Sequence, residues 1–312
     1  MAPTTSTTHD QDLLTRINTA ASAHSIDLSI LPFHQEALES ITSLFTTAHT
    51  TPTYDFSTAT RIDTHTHPIP PWFRALEPQA AGRATPSWNP SAHLQFMSSH
   101  SITHSILCIS TPQANAFSTD PTLSSDAKLR KKKTIALARL LNEFSAELCR
   151  VYPKRFSWLA VTPLPYVEEG VVEARYALEE LGAVGRLYAR VWFPHLHWRA
   201  SHGAGAFPDI SERFLLGFPD VSDEARKAYK ERFWYDSAGP VYPNQVKGLT
   251  EGMGIPVSQL VFGTDYPYGI GFWDVDANIA GLSEADFLSS SEKEQIFSEN
   301  VKGLWAGKLL GV

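Results

Sequence analysis

Cysteine is scarce: the 312 residues contain two, Cys108 and Cys149. Both fall in apolar stretches that read as strand and helix, so they are expected to be reduced core residues, with no disulfide between them. Long apolar runs are missing too. None approaches the ~18 residues that span a bilayer. The first residues lack the basic start and apolar core of a signal peptide. With Asp10, Asp12 and one arginine before Arg61, they also make a poor transit peptide, and the protein is expected in the cytoplasm. An excess of positive charge is absent as well: a net charge of −7 argues against nucleic acid as the main partner. Apolar residues are plentiful. At 43% they can fill a sizeable core, and the length suits one large barrel or two ordinary domains.

Two stretches organise the rest. The first is Arg61–Phe73, RIDTHTHPIPPWF, a strand-like run halted by three prolines within four residues. His65 and His67 stand two apart, so on a strand both imidazoles face the same way. Neutral imidazole is a common metal ligand, and two supply half of a zinc-type shell. A bare pair of this kind is more often two ordinary histidines in a surface strand. The second stretch, Val261–Gly269, VFGTDYPYG, is an apolar strand that ends in Asp265. An early strand ending in two histidines and a late one ending in an acid fit the first and last strands of a (β/α)8 barrel. Such a barrel gathers its chemistry at the C-terminal ends of its strands.

In chain order, residues 1–9 are Thr/Ser-rich and expected to be disordered. Helical patterns follow at Asp10–His24 and Pro32–Ala48, the second with Leu38, Ile41 and Phe45 on one face. Together with a polar linker they form an N-terminal extension, 1–59, ahead of a barrel domain, 60–312. A long loop, Pro68–Pro90, carries Trp72, Arg74, Arg83 and Trp88. The tryptophans are candidates to stack on a flat substrate and the arginines to hold a carboxylate, although packing and solvation account for each one equally well.

A helix at Pro90–Ser99 and a strand at Ser101–Ser110 come next, with His104 in mid-strand as a structural histidine. The basic run Lys128–Lys133 opens a helix with Leu137, Leu141, Phe144 and Leu148 on one face, and reads as a solvated flank. Further strands are expected at Phe156–Pro163, Arg186–Trp192, Trp198–His202, Phe233–Ser237 and Leu260–Asp265. Helices are expected at Glu168–Leu181, Pro243–Gly252, Ser283–Leu288 and Ser291–Leu304, the last opened by a Ser-Glu capping pattern. This alternation is the signature of parallel α/β architecture.

RIDTHTHPIPPWF, ATPSWNP (Ala84–Pro90), ASHGAGAFPDISERF (Ala200–Phe214), FWYDSAG (Phe233–Gly239), VFGTDYPYG and IFSENVKGLW (Ile296–Trp305) together resemble the amidohydrolase superfamily. More narrowly, they are similar to its aminocarboxymuconate-semialdehyde decarboxylase branch, which includes the fungal 6-methylsalicylate decarboxylases. The resemblance covers most of Thr60–Trp305. It implies a TIM-type α/β barrel holding one divalent metal, Zn2+ or Mn2+, with His65, His67 and Asp265 as ligands and His202 as the acid/base. Whether His202 or Asp265 delivers a proton to carbon is not readable from the residues. The implied reaction is non-oxidative decarboxylation of a small aromatic or unsaturated acid, such as a salicylate derivative. No lysine lies between Val184 and Trp192 to bridge two metals.

The resemblance breaks after Gly185. A fourth strand, a helix and a fifth strand carrying another histidine ligand are expected there. The sequence instead runs RLYARVWFPHLHWRASHGAG straight into the next motif. About one β/α unit is therefore missing, and His195 and His197 precede their strand, on the wrong rim to replace the ligand. Two alternatives stay open: a metal-dependent hydrolase of a lactone or amide, and a truncated, inactive member of the family. A small-molecule acid is the expected partner, without membrane or nucleic acid, in a possible homodimer.

Overall fold

The computed structural model describes residues 4–80, 82–119, 125–186 and 198–309. Its wall is a run of parallel strands: β1 (Arg61–Thr66), β2 (Ile102–Leu107), β3 (Phe156–Ala160), β4 (Gly185–Arg186), β5 (Trp198–Ala200), β6 (Phe233–Asp236) and β7 (Leu260–Val261). Ladders join β1 to β2, β2 to β3 and β3 to β4, and separately β5 to β6 and β6 to β7. The two sets meet where the first strand lies beside the last. Thr64 N donates to Phe262 O at 2.9 Å, Asp265 N to His65 O at 2.8 Å and His67 N to Tyr266 O at 2.7 Å. The order across the wall is β4-β3-β2-β1-β7-β6-β5. Ile62 to Thr66 are all buried, as befits a parallel strand covered on both faces.

Helices alternate with these strands. Asn89 caps α3 (Pro90–Ser99) by accepting from Ala92 N, with Pro90 at the first helical position. Asp126 caps α4 (Ala127–Val151). The basic run forms its solvent-facing first turns, with Lys131 paired to Glu169 at 2.5 Å. Leu137, Leu141, Phe144 and Leu148 are buried. After β3 comes α5 (Val167–Glu179); α6 (Phe207–Leu215) and α7 (Ser222–Glu231) lie between β5 and β6.

Ahead of the barrel stand two more helices, Thr4–Ala23 and His34–Thr50. The first buries Leu13, Ile17 and Ala21, the second Ala37, Leu38, Ile41 and Leu44. Full burial of each Leu or Ile contributes roughly 1.5–3 kcal/mol, so the pair is packed onto the flank of α4, not merely tethered. Residues 4–9, expected to be disordered, are helical. Long-range contacts override the poor local propensity: the His9 ring lies 4.4 Å from that of Phe45 and its Nε2 is 3.3 Å from Glu147.

Two other expectations shift. The helix placed at Ser283–Leu288 lies at Val275–Ser283, because Asp274 caps it through Ala277 N. The Ser289–Glu292 capping box then opens the final helical run, as its pattern indicates. Of the strand expected at Arg186–Trp192, residues 187–192 lie outside the described residues, as do His195 and His197.

Candidate active site

His65 and His67 leave β1 on the same side, and Asp265 follows β7 on the neighbouring strand end. Three atoms converge: His65 Nε2 and His67 Nε2 are 3.1 Å apart, and Asp265 Oδ1 is 2.9 Å from His67 Nε2 and 3.3 Å from His65 Nε2. The opposite ring nitrogens settle the protons. His67 Nδ1 donates to Cys108 O at 2.8 Å, and a carbonyl can only accept. His65 Nδ1 donates to Asp236 Oδ2 at 2.9 Å. As neutral imidazoles, both turn Nε2 lone pairs toward each other and toward a carboxylate oxygen. Three acceptors in mutual contact call for a cation among them, a proton or a metal ion. Edges of this length suit an ion about 2.0–2.2 Å from each donor. The same demand appears in the protonation equilibria. Burial opposes the imidazolium of His65, yet the carboxylates raise it to about 9. His67 is raised likewise to about 10 by Cys108 and Asp265. Asp265, despite its own burial, is held below the usual carboxylate range by the two histidines.

His202 comes from the loop after β5. Its N–H donates to Asp236 Oδ1 at 2.9 Å and its Nδ1 to Ala238 O at 3.0 Å, which leaves Nε2 as the free nitrogen. Its ring lies 4.9 Å from that of His65, and ligand atoms of His65, His202 and Asp265 all fall within 4.8 Å of one another. His202 and Asp265 both have left-handed backbones, at φ 56° and 61°, a conformation that costs of order 1 kcal/mol or more outside glycine. Asp236 and the His65 carbonyl hold them there through the bonds to their N–H groups. Gly263 is required on packing grounds, since a Cβ there would fall 2.8 Å from the His65 Cβ.

Three participants escape a reading of motifs. Asp236, buried at the end of β6, is kept ionised against its burial by His65 and Arg199. Asp63 accepts from Thr264 Oγ1 at 2.5 Å and from the His65 and Thr264 amides, fastening β1 to β7; burial raises it to about 7. Arg199, on β5, reaches Asp236, Cys108 and the Thr64 carbonyl. Cys108 is buried as expected, but in the site itself. Burial would raise its thiol, and Arg199 and His67 bring it down to about 5.

A cavity of ≈ 690 Å³ opens over the cluster, walled by Arg83, Ser110, Tyr268, Phe272 and Trp273. Of the four loop residues proposed to meet substrate, only Arg83 lines it, with its guanidinium 3.2 Å above the Phe272 ring. Trp72 is fully buried between Phe33, Phe73 and Phe144. Trp88 packs on Phe144 and donates to His93 Nδ1 at 3.2 Å, and Arg74 Nε donates to Thr85 O at 2.8 Å. All three stand outside the cavity wall. His104 is a satisfied core histidine, 2.9 Å from Ser157 Oγ.

No family model matches this sequence. The chain is similar to the decarboxylase macB of Penicillium terrestre, 33% identical over 138 residues, a match spanning 42% of this chain and 38% of that protein's length. Its fold is close to the crystal structure of an amidohydrolase II, with a TM-score of 0.64 and 20% identity over 78% of this chain and 99% of the other. The fold is the α/β arrangement of parallel strands and helices shared with that structure. The same fold appears in 5-carboxyvanillate decarboxylase of Novosphingobium aromaticivorans, crystallised with manganese and 4-hydroxy-3-methoxy-5-nitrobenzoic acid. That TM-score is 0.59 at 13% identity, covering 82% of this chain and 98% of the other. The cavity lies at the C-terminal ends of the parallel strands, where α/β barrels place their chemistry.

Proposed function

We propose that the chain catalyses metal-dependent, non-oxidative decarboxylation of a small aromatic acid bearing a hydroxyl beside its carboxylate, such as a salicylate derivative. The observation that carries this reading is the meeting of two imidazole lone pairs and the Asp265 oxygen beneath a cavity walled by aromatic rings. His65, His67 and Asp265 would hold one divalent ion. Their nitrogen and carboxylate donors suit Mn2+ and Zn2+ alike. Bound there, the ion supplies a Lewis-acid anchor for the substrate's carboxylate and neighbouring hydroxyl.

The remaining chemistry belongs to side chains. Asp236 fixes the tautomer of His65 and, through the His202 amide, the position of His202. The His202 Nε2 faces the cluster and, as imidazolium, gives its proton to the ring carbon that carries the carboxylate. The C–C bond then breaks, its electron pair returns to the ring and CO2 departs. Asp265, touching both imidazoles, is the second group able to handle that proton. Arg83, on the cavity wall, attracts the anionic substrate, while Tyr268, Phe272 and Trp273 accept the flat ring.

The barrel is proposed to be short of about one β/α unit between β4 and β5. Seven strands make up the described wall, and exposed large apolar side chains gather on the helices flanking that point. Val167, at 68% exposure, Val171, Val172 and Leu178 lie on α5; Ile210 and Phe214 lie on α6, with Leu216, Phe218 and Val221 just beyond. Residues 1–59 are taken as an extension of a 60–312 barrel domain, in a cytoplasmic enzyme acting on small molecules. Among the described residues no helix is long and apolar enough to cross a membrane.

The test is CO2 release from ortho-hydroxybenzoic acids by the purified chain supplied with Mn2+ or Zn2+. Release that disappears in His202→Asn is expected. Hydrolysis of lactones or amides without CO2 release would overturn this assignment in favour of a hydrolase.

A further inference from the structure

Arg199 lines the cavity above the cluster, yet each of its three nitrogens lies against a group of the protein itself. Its side chain is 8% exposed. Nε lies 3.3 Å from Asp236 Oδ2, Nη2 donates to Cys108 Sγ at 3.3 Å, and Nη1 donates to the Thr64 carbonyl. None of these partners is a substrate. Asp236 Oδ2 is also the oxygen that accepts from His65 Nδ1, so guanidinium and imidazole share one anion. Through that oxygen Arg199 is linked to His65, one of the candidate metal ligands.

Resting on the metal-site reading above, we propose that Arg199 is an internal cation competing with the divalent ion for the negative charge of the site, and thereby weakens metal binding. The placement of the charge is the reason. The guanidinium lies 3.3 Å from the Asp236 oxygen that His65 Nδ1 bonds, so a fixed positive charge stands one residue removed from His65. A divalent ion held by His65 would be repelled by that charge, and without Arg199 the repulsion is gone.

Metal-stripped protein is titrated with MnCl2 by calorimetry, with thermal melts in parallel. Arg199→Met should bind Mn2+ on the order of tenfold more tightly or better, from the like-charge repulsion removed in a partly buried site. Its melting temperature should also rise more on adding metal. Arg199→Lys, which keeps the charge, should stay within about threefold of the unchanged chain, a margin well below that repulsion. If Arg199→Met does not fold, Arg199→Gln, which retains donors for Thr64 and Cys108, is read in the same way. A folded neutral variant binding no more tightly than the unchanged chain overturns the role of Arg199 alone. Binding that survives Asp265→Ala in the Arg199→Met background, or is absent from every variant, overturns the metal site and this inference with it.

Discussion

Asp236→Asn separates the duties packed into one buried carboxylate. Oδ1 accepts from the His202 and Ala238 amides at 2.9 and 3.2 Å, and Oδ2 accepts from His65 Nδ1. An asparagine can keep its oxygen on the two amides only by turning its NH2 toward His65. Donor would then face donor, and the imidazole must move its proton to Nε2. There it can bond to Asp265 but can no longer ligate. Losing such an orienting partner typically costs 10–100-fold in metal affinity, about 1.4–2.7 kcal/mol. Arg199 would also be left without its anion, at a cost on the order of 3 kcal/mol or more in stability. Calorimetric Mn2+ titration at low temperature, on protein shown folded by circular dichroism, measures the first effect; urea unfolding measures the second. Adding Arg199→Met should recover the stability and leave affinity at least about tenfold below that of Arg199→Met alone. Unchanged Mn2+ affinity in folded Asp236→Asn would refute the tautomer argument.

Trp72→Ala should lose about 3–5 kcal/mol in denaturant unfolding while the folded fraction keeps its KM, whereas Arg83→Ala should raise KM and leave unfolding unchanged. A rise in KM with Trp72→Ala would place that ring at the substrate after all. His104 is lowered by burial from 6.5 to about 4, so between those values the unfolded chain binds the extra proton. Stability should therefore fall as pH drops from about 6.5 toward 4, by on the order of 3 kcal/mol from this residue. His104→Gln should flatten that slope, and parallel urea midpoints across the range in both proteins would contradict it. Grafting the proposed missing unit from a full-length relative should raise both Mn2+ occupancy and CO2 release; equal values in both chains would mean the present ligands suffice.

Strand order and the metal-ligand candidates were legible because they rest on local pattern. A two-residue spacing on a strand fixes a shared face, and a strand that ends in an acid fixes a rim. The supporting residues were not legible, because their meaning lies across the barrel. Asp236 reads as a strand terminus until His65 and the His202 amide arrive from elsewhere in the chain. Arg199 and Cys108 read as strand and core residues until β2 and β5 bring them together. Trp72 and Trp88 erred the other way. Aromatic residues in a loop after a barrel strand suggest a substrate wall, but Phe33 from the N-terminal segment and Phe144 from α4 bury them. Contacts across that distance in sequence have no local signature. The same holds for residues 4–9, whose helix depends on Phe45 and Glu147.

The seam between β1 and β7 has a consequence for biosynthesis. His67 and Asp265 are 198 residues apart, and every bond that fastens Asp63, His65 or His67 to the final strand has a comparable span. At translation rates of about 5–20 residues per second, roughly 10–40 s pass between the emergence of the two histidines and that of the aspartate. Until Asp236 emerges, and after it Asp265, the ribosome displays a His-x-His strand with no neighbour on one edge and no anion for its imidazoles. Metal capture should therefore wait for Asp265, and the nascent strand needs shelter until its partner is made. Conditions that slow elongation late in the message should lower the yield of loaded protein without altering its sequence.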